Sequence, residues 1–329
     1  MEDLKEIGFY TISDERIRRT SMDSQMKRGE IIITEYCNFR CSYCKGLSES
    51  VFADRRKKQM TLDEIKIVID HWCHKIPLES IRFSGGEPTL HTNIMDIVSY
   101  AKISGIKNIA ISTNGSNDLH VYKELIRLGV TDISISLDAC CAIDGDHMAG
   151  VTGSFDIVVN NIREISKLAY VTVGIVLTSE NVQKTIDTII FADSLGVADI
   201  RIISAAQYNK PIESLDKIPR EILEKYPILK YRSDNFKNGD NVRGMKETDY
   251  KHCALILDDS MVAGKFHYPC IIYFRERGKY IGLVGGNMRE ERKKWFEEHD
   301  CYADDICRNN CLDICRAFNL KYQDFHGTL

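Results

Sequence analysis

Apolar positions change their period repeatedly along the chain, and each change marks a predicted element. Residues 1–28 are mostly polar with few periodic apolar positions, so they read as a short arm. Ile31-Ile32-Ile33 is then a continuous apolar run, as in a parallel strand buried on both faces. Thr61-Leu-Asp-Glu64 has the form of a capping box, and Leu62, Ile65, Val68 and Ile69 recur at helical spacing behind it. Residues 81–83 predict a second strand and 94–103 a second helix. A third strand follows over 108–112, and a third helix over 119–128 closed by Gly129. The fourth strand, 132–137, alternates Ile133, Ile135 and Leu137, with a helix over about 155–168 behind it. A strand over 171–177, a helix over about 182–195 closed by Gly196, and a strand over 199–203 complete the series.

Alternating strands and helices imply a parallel sheet wound in one direction. The expected fold class is α/β: a partial (β/α)6 TIM-type barrel over residues 29–207, with function at the C-terminal ends of its strands. After Ser204 the rhythm breaks. Residues 208–247 are polar, contain Pro211, Pro219 and Pro227, and read as a linker with one or two short helices. Residues 248–329 hold six cysteines and read as a small region organised by ligands more than by apolar burial. A hairpin is expected there, one arm over 271–274 and the other over 278–282.

Composition narrows the functional classes. With 329 residues, 43% hydrophobic and 28% charged, the chain has enough apolar mass for a sizeable core. Lysine and arginine number 44 against 48 acids, so no basic excess points to nucleic acid or to an anionic membrane. The start MEDLKEIGFY lacks the apolar core of a signal peptide, and no apolar run approaches the ~18 residues of a membrane span. The 12 cysteines are therefore expected in the cytoplasm, reduced and available to metal.

Three of them follow the first strand as Cys37-Asn-Phe-Arg-Cys41-Ser-Tyr-Cys44. A structural zinc site wants four ligands, and no fourth lies nearby. Three thiolates on one loop instead suit a [4Fe–4S] cluster whose fourth iron stays open to a ligand. This Cys-x3-Cys-x2-Cys loop resembles the signature of radical S-adenosylmethionine (radical SAM) enzymes. The resemblance extends through Ser84-Gly85-Gly86-Glu87-Pro88 after strand two, Thr113-Asn114-Gly115 after strand three and Ser136-Leu137-Asp138 after strand four, and covers about residues 30–205. It implies that the open iron chelates S-adenosylmethionine, whose one-electron cleavage yields a 5′-deoxyadenosyl radical that abstracts a substrate hydrogen. It places Tyr43 near the adenine, and Gly85, Gly86, Glu87, Asn114, Ser136 and Asp138 around the cofactor. Glycines let backbone approach a ligand closely, and Glu87 is expected to take its ammonium group. Ala149 stands where the family commonly has an arginine that binds the methionine carboxylate.

The second set comprises Cys253, Cys270, Cys301, Cys307, Cys311 and Cys315. Six thiols in so short a stretch point to metal. Their arrangement resembles the SPASM or twitch extension of radical SAM enzymes, but half of the usual leading Cys-x2-Cys pair is missing and no cysteine follows Cys315. Two four-cysteine clusters need eight ligands, so the resemblance implies one auxiliary [4Fe–4S] cluster, held by Cys253, Cys270, Cys307 and either Cys311 or Cys315. A leftover thiol, or Cys140 or Cys141 after strand four, is a candidate hydrogen-atom donor in an epimerisation. Cys73, near His71 and His74 at the far end of helix one, reads as packing.

Arg201, Ser204 and Gln207 after strand six are candidates for the barrel mouth. Peptide-maturing relatives often carry an N-terminal leader-binding domain, which an arm of this length does not supply. The expected substrate is therefore a small polar metabolite of sugar, nucleoside or aminoglycoside type, to be oxidised, epimerised or rearranged. A ribosomally made peptide is the alternative. A flavodoxin- or ferredoxin-type electron donor is the expected partner. A bare iron–sulfur electron carrier would not need the three segments beside the cluster, and a zinc-organised binding module would be separated by anaerobic metal analysis.

Overall fold

The protein is described here by a computed structural model for residues 13–44, 59–206, 208–210 and 213–327. Gln207 and Pro211 lie outside the described residues. Six parallel strands form the expected series: β1 (Arg28–Thr34), β2 (Ser80–Gly85), β3 (Asn108–Thr113), β4 (Asp132–Ser136), β5 (Tyr170–Leu177) and β6 (Asp199–Ser204), each paired with the next. Between them run helices α2 (Leu62–Cys73), α3 (Ile94–Ile103), α4 (Leu119–Leu128), α5 (Ala142–Ala149), α6 (Ser154–Ile165) and α7 (Thr185–Ser194), while α1 (Asp14–Arg19) precedes β1. The Thr61/Glu64 capping box forms, and Gly129 closes α4 in the left-handed conformation at φ 119°. Helix α5 was not legible, because its Ala-Ile-Asp-Gly-Asp-His-Met-Ala sequence has little apolar periodicity.

Alternate residues of a strand face opposite sides, and that rule sorts the barrel. Ile133 and Ile135 of β4 are fully buried in the core shared with the helices. Asp132 and Ser134 face the interior, where they meet side chains of β2 and β6. Burying a large aliphatic side chain is worth roughly 1.5–3 kcal/mol, so this apolar layer outweighs the polar interior it supports.

Two expectations about the second half need correction. The supposed linker contains α8 (Arg220–Lys225) and α9 (Pro227–Lys237), and α9 packs against β6. Leu215, Ile222, Tyr226, Leu229 and Phe236 are buried in the same core as the strands, so the segment is a wall of the barrel. Its few apolar residues sit on one side of short helices, a pattern that a polar, proline-containing sequence conceals.

The C-terminal segment also extends the barrel's sheet. Following α10 (Leu255–Asp258), strand β7 (Asp259–Ala263) pairs in parallel with β1, from Arg28 opposite Asp259 to Ile32 opposite Ala263. Then β8 (Phe266–Tyr268) and β9 (Gly282–Leu283) continue the sheet antiparallel, giving the order β6-β5-β4-β3-β2-β1-β7-β8-β9. The expected first arm is instead helix α11 (Ile271–Arg275), because Cys270 occupies its N-cap and accepts from the Tyr273 N–H. Helices α12 (Met288–Glu298), α13 (Asp305–Asn310) and α14 (Asp313–His326) finish the chain.

An apolar core of its own holds this region together: Tyr250, Ile256, Leu257, Phe296, Phe318 and Tyr322 close around Ile17 of the N-terminal arm. The arm is thus docked on the C-terminal helices, with the Arg18 guanidinium 3.9 Å from the Phe325 ring centroid. Among the described residues no helix is long and apolar enough to cross a membrane.

Candidate functional site

The cysteine loop leaves the C-terminal end of β1, the strand that lies between β2 and β7. Backbone contacts from two neighbouring segments hold it. The Gly86 N–H donates to Thr34 O at 2.8 Å and the Glu87 N–H to Tyr36 O at 2.7 Å. On the other side the Arg40 N–H donates to Ala149 O at 2.8 Å. Position 149, where the resemblance expects an arginine, therefore contributes its carbonyl to the loop, and its methyl is buried.

Glycine is needed here because backbone meets backbone. A Cβ on Gly85, which sits at φ +148°, would stand 1.9 Å from Thr34 O. One on Gly86 would stand 2.2 Å from Tyr36 O. The two glycines thus let the turn after β2 approach the cysteine loop closely.

Glu87 is fully buried and its carboxylate accepts four hydrogen bonds. Oε1 accepts from Thr89 N (3.0 Å), Thr89 Oγ1 (2.6 Å) and Thr113 Oγ1 (2.7 Å); Oε2 accepts from Asn114 N (2.6 Å). Burial pushes its pKa up, while each of these bonds pulls the other way. Within the chain, Glu87 locks the turn after β2 to the turn after β3. Asn114 extends that lock to the thiols, its Nδ2 lying 2.8 Å from Asn38 Oδ1 and 3.8 Å from Cys37 Sγ.

Tyr43 and Asp138 meet as well. The Tyr43 hydroxyl donates to Asp138 Oδ2 at 2.6 Å, and Oδ1 accepts from the Val176 N–H at 2.7 Å. Asp138 therefore ties the loop to β5, and Ser136 is left exposed at the end of β4. Burial raises the Asp138 carboxyl from 3.8 to about 6. An acid whose folded pKa lies above its unfolded value stabilises the fold at low pH and loses that contribution as pH rises from about 4 to about 6. The shift corresponds to about 3 kcal/mol. Thermal melts of wild type and Asp138→Asn at pH 4 and pH 7 should show the variant gaining relative to wild type at the higher pH. An unchanged difference would mean that Asp138 stays ionised throughout.

Cys37, Cys41 and Cys44 are free thiols, and the charge of each is felt by its neighbours. Burial pushes Cys37 up to about 11 and Cys41 to about 12. The Phe39 N–H already points at Cys37 Sγ, 3.4 Å away. Three thiols on one loop, with N–H donors turned toward sulfur and Cys44 exposed, fit a cluster held through three irons.

Cys140 and Cys141 are placed elsewhere on the rim. Cys140 has Thr188 and Asp187 of α7 for neighbours, and the Cys141 thiol donates to Asp144 Oδ2 at 3.2 Å. These contacts face the helical layer. Cys73 packs against the core at the end of α2, as expected.

The six C-terminal thiols do converge. Cys253 lies in the field of Cys270, Cys315 and Cys307, Cys311 shares a hydrogen bond with Cys315, and Cys301 shares one with Cys307. Burial is the leading cause that pushes Cys253 and Cys270 up. Such a set of thiols, gathered from five segments, suits an iron–sulfur cluster. It is joined to the barrel mouth by backbone: Gly244 N donates to Cys311 O at 2.9 Å, and the neighbouring Arg243 Nε donates to Ser204 O at 2.9 Å.

Inside the barrel, β2, β4 and β6 contribute a basic layer. Arg201 is buried, with Nη2 3.3 Å from Ser134 Oγ. Arg82 Nη2 lies 3.9 Å from Asp132 Oδ2. Arg201 Nε and Arg243 Nη1 are shielded from solvent without a hydrogen-bond partner among the described residues. Burial, reinforced by Arg82, lowers Arg201 to about 10. Sequence reasoning had placed Arg201 and Ser204 near the mouth but missed Ser134, Thr89 and Arg243. Arg243 carries no local signal, since only the packing of the supposed linker brings it there.

Residues 31–192 match the family model described as the Radical SAM superfamily. A GTP 3′,8-cyclase of Synechococcus elongatus is 33% identical over 133 residues, covering 40% of this chain and 39% of that protein. A probable GTP 3′,8-cyclase of Sulfurisphaera tokodaii is 27% identical over 215 residues, covering 60% and 65%. The chain thus spans less than two thirds of the length of either. Native anSMEcpe with bound AdoMet superposes with a TM-score of 0.58 at 16% identity, over 91% of this chain and 96% of that one. Streptococcus suis SuiB gives 0.58 at 14% identity, over 83% and 66%. At such identities these structures establish the fold alone.

Proposed function

Through residues 31–192 this chain belongs to the radical SAM superfamily, and on that premise we propose that it acts on a small anionic metabolite, a phosphate- or carboxylate-bearing sugar or nucleoside. The family requires S-adenosylmethionine and a [4Fe–4S] cluster. When bound, that pair supplies a 5′-deoxyadenosyl radical, which removes a hydrogen atom from the substrate.

The chain's own residues have three tasks in this reading. Cys37, Cys41 and Cys44 would hold the cluster. Asn114 and the Phe39 N–H stabilise thiolate at Cys37, while Glu87, Gly86 and Asp138 fix the loop against β2, β3 and β5. Cys253, Cys270, Cys311 and Cys315 are proposed to hold the auxiliary cluster. Oxidation, epimerisation and rearrangement remain separate outcomes of the same first step.

The observation that carries the substrate class is the pair of guanidinium groups, Arg201 and the half-buried Arg243, each with one shielded N–H that no described residue accepts. A cationic donor shielded from water without an acceptor is costly, and an anion at the mouth would relieve it. The same charge disfavours a polycationic aminoglycoside. The GTP named for the curated relatives falls in the anionic class. A peptide remains the second reading, since SuiB, which shares the fold, was also solved with precursor peptide SuiA.

The test is substrate-dependent formation of 5′-deoxyadenosine, with deuterium transferred from labelled substrate. Nucleotides and sugar phosphates should stimulate it, and neutral nucleosides or peptides should not; the reverse order would overturn the proposal. Arg201→Gln should raise KM for the anionic substrate roughly 10–100-fold, the worth of one charge-assisted contact. Cleavage of S-adenosylmethionine without substrate should change little.

A further inference from the structure

The six C-terminal thiols are not equivalent. Among the described residues, His299, Cys301 and Cys307 form a group whose ligand atoms all lie within 4.8 Å of one another. Thiolates on different irons of a cubane stand further apart, because each binds its own corner. Ligands of one tetrahedral ion, with bonds of about 2.0–2.3 Å, stand this close.

Other details support a built site. The His299 Nε2 atom is shielded from solvent and makes no hydrogen bond; Asp304 Oδ2 lies 3.6 Å from it. The imidazole is clamped by Trp295, stacked at 4.0 Å, with Tyr273 edge-on at 6.4 Å. Asp304 is itself oriented: Oδ1 accepts from the Cys307 N–H at 2.9 Å and Oδ2 from the Tyr273 hydroxyl at 2.9 Å. That is the outer-sphere support that metal ligands characteristically have. Asp300 Oδ1 accepts from the N–H groups of Tyr302 and Ala303, shaping the loop between the ligands, and the Cys301 N–H donates to Lys251 O at 2.7 Å.

We propose that His299, Cys301 and Cys307, with Asp304 as the fourth donor, bind a single borderline-soft divalent ion of the zinc type. Two thiolates, an imidazole and a carboxylate match the preferences of that ion. The site would pin the start of α13 to the end of α12. It also leaves Cys253, Cys270, Cys311 and Cys315, four thiols for one four-iron cluster; this second assignment rests on the radical SAM reading, whereas the ion site does not.

The experiment is elemental analysis of the anaerobically prepared, iron–sulfur-loaded full chain. Wild type should carry about one zinc beside about eight irons. His299→Ala should lose the zinc and keep the iron, and His299→Cys should restore it. Cys301→Ala should behave like His299→Ala, while Cys253→Ala should lose about four irons and keep the zinc. Wild type without zinc would overturn the site, as would His299→Ala or Cys301→Ala shedding iron. If Cys253→Ala kept its iron while zinc behaved as described, the ion site would stand and the auxiliary-cluster assignment would fall.

Discussion

Alanine at Cys37, Cys41 and Cys44 together should abolish formation of 5′-deoxyadenosine and lower iron from about eight to about four per chain. The loss is expected to be complete because these three thiols share one loop, with Cys37 and Cys44 close enough for their charges to reach Cys41. The fold should survive. Cys44 is exposed and the other two are half-buried, so the changes remove no large core side chain. The remaining iron should stay with the C-terminal thiols, which belong to different segments. Residual 5′-deoxyadenosine at wild-type rates would show that another site cleaves S-adenosylmethionine. Loss of all iron would show that the two thiol sets assemble as one unit.

Gly86→Ala should be nearly as severe without touching a ligand. The added methyl would stand 2.2 Å from Tyr36 O, 2.5 Å from Tyr36 C and 2.6 Å from Glu35 O, all of them backbone atoms. Relief requires the loop to move, which breaks the Glu87 N–H bond to Tyr36 O. The expected cost is about 3–5 kcal/mol, in the range of strong overpacking. About four irons should be lost with it, as in the triple-alanine chain. Gly286→Ala is the control: a Cβ there meets nothing within 4 Å, and the melting temperature and iron content should not change. If Gly86→Ala kept full iron and activity, the strap between the β2 turn and the cysteine loop would not govern cluster assembly.

The legible and the illegible parts of this protein differ in how local their signals are. The alternation of Ile133 with Ile135 and the Thr61/Glu64 box report contacts a few residues apart, and both formed as read. The Cys37–Cys44 spacing was readable because a single loop supplies all three thiols. Strand β7 was not, because five residues carry too little periodicity and its stability comes from pairing with β1, over 200 residues away in sequence. Glu87 was recognised as important, but its partners within the chain were not legible. Its identity fixes a buried carboxylate, but Thr89, Thr113 and Asn114 around it are a tertiary fact.

The sequence by itself determined the alternating α/β order, the three-cysteine loop at the end of the first strand and the presence of a second thiol set. Those features depend on residue type and short spacing. Only the tertiary structure decided that residues 208–247 form a wall of the barrel, that the C-terminal segment extends the sheet, and that Arg201 and Arg243 each keep a shielded donor without a described acceptor. It alone brought His299, Cys301 and Cys307 within 4.8 Å of one another. Burial, charge pairing and ligand spacing arise between elements far apart in the chain, and no local pattern encodes the distance between them.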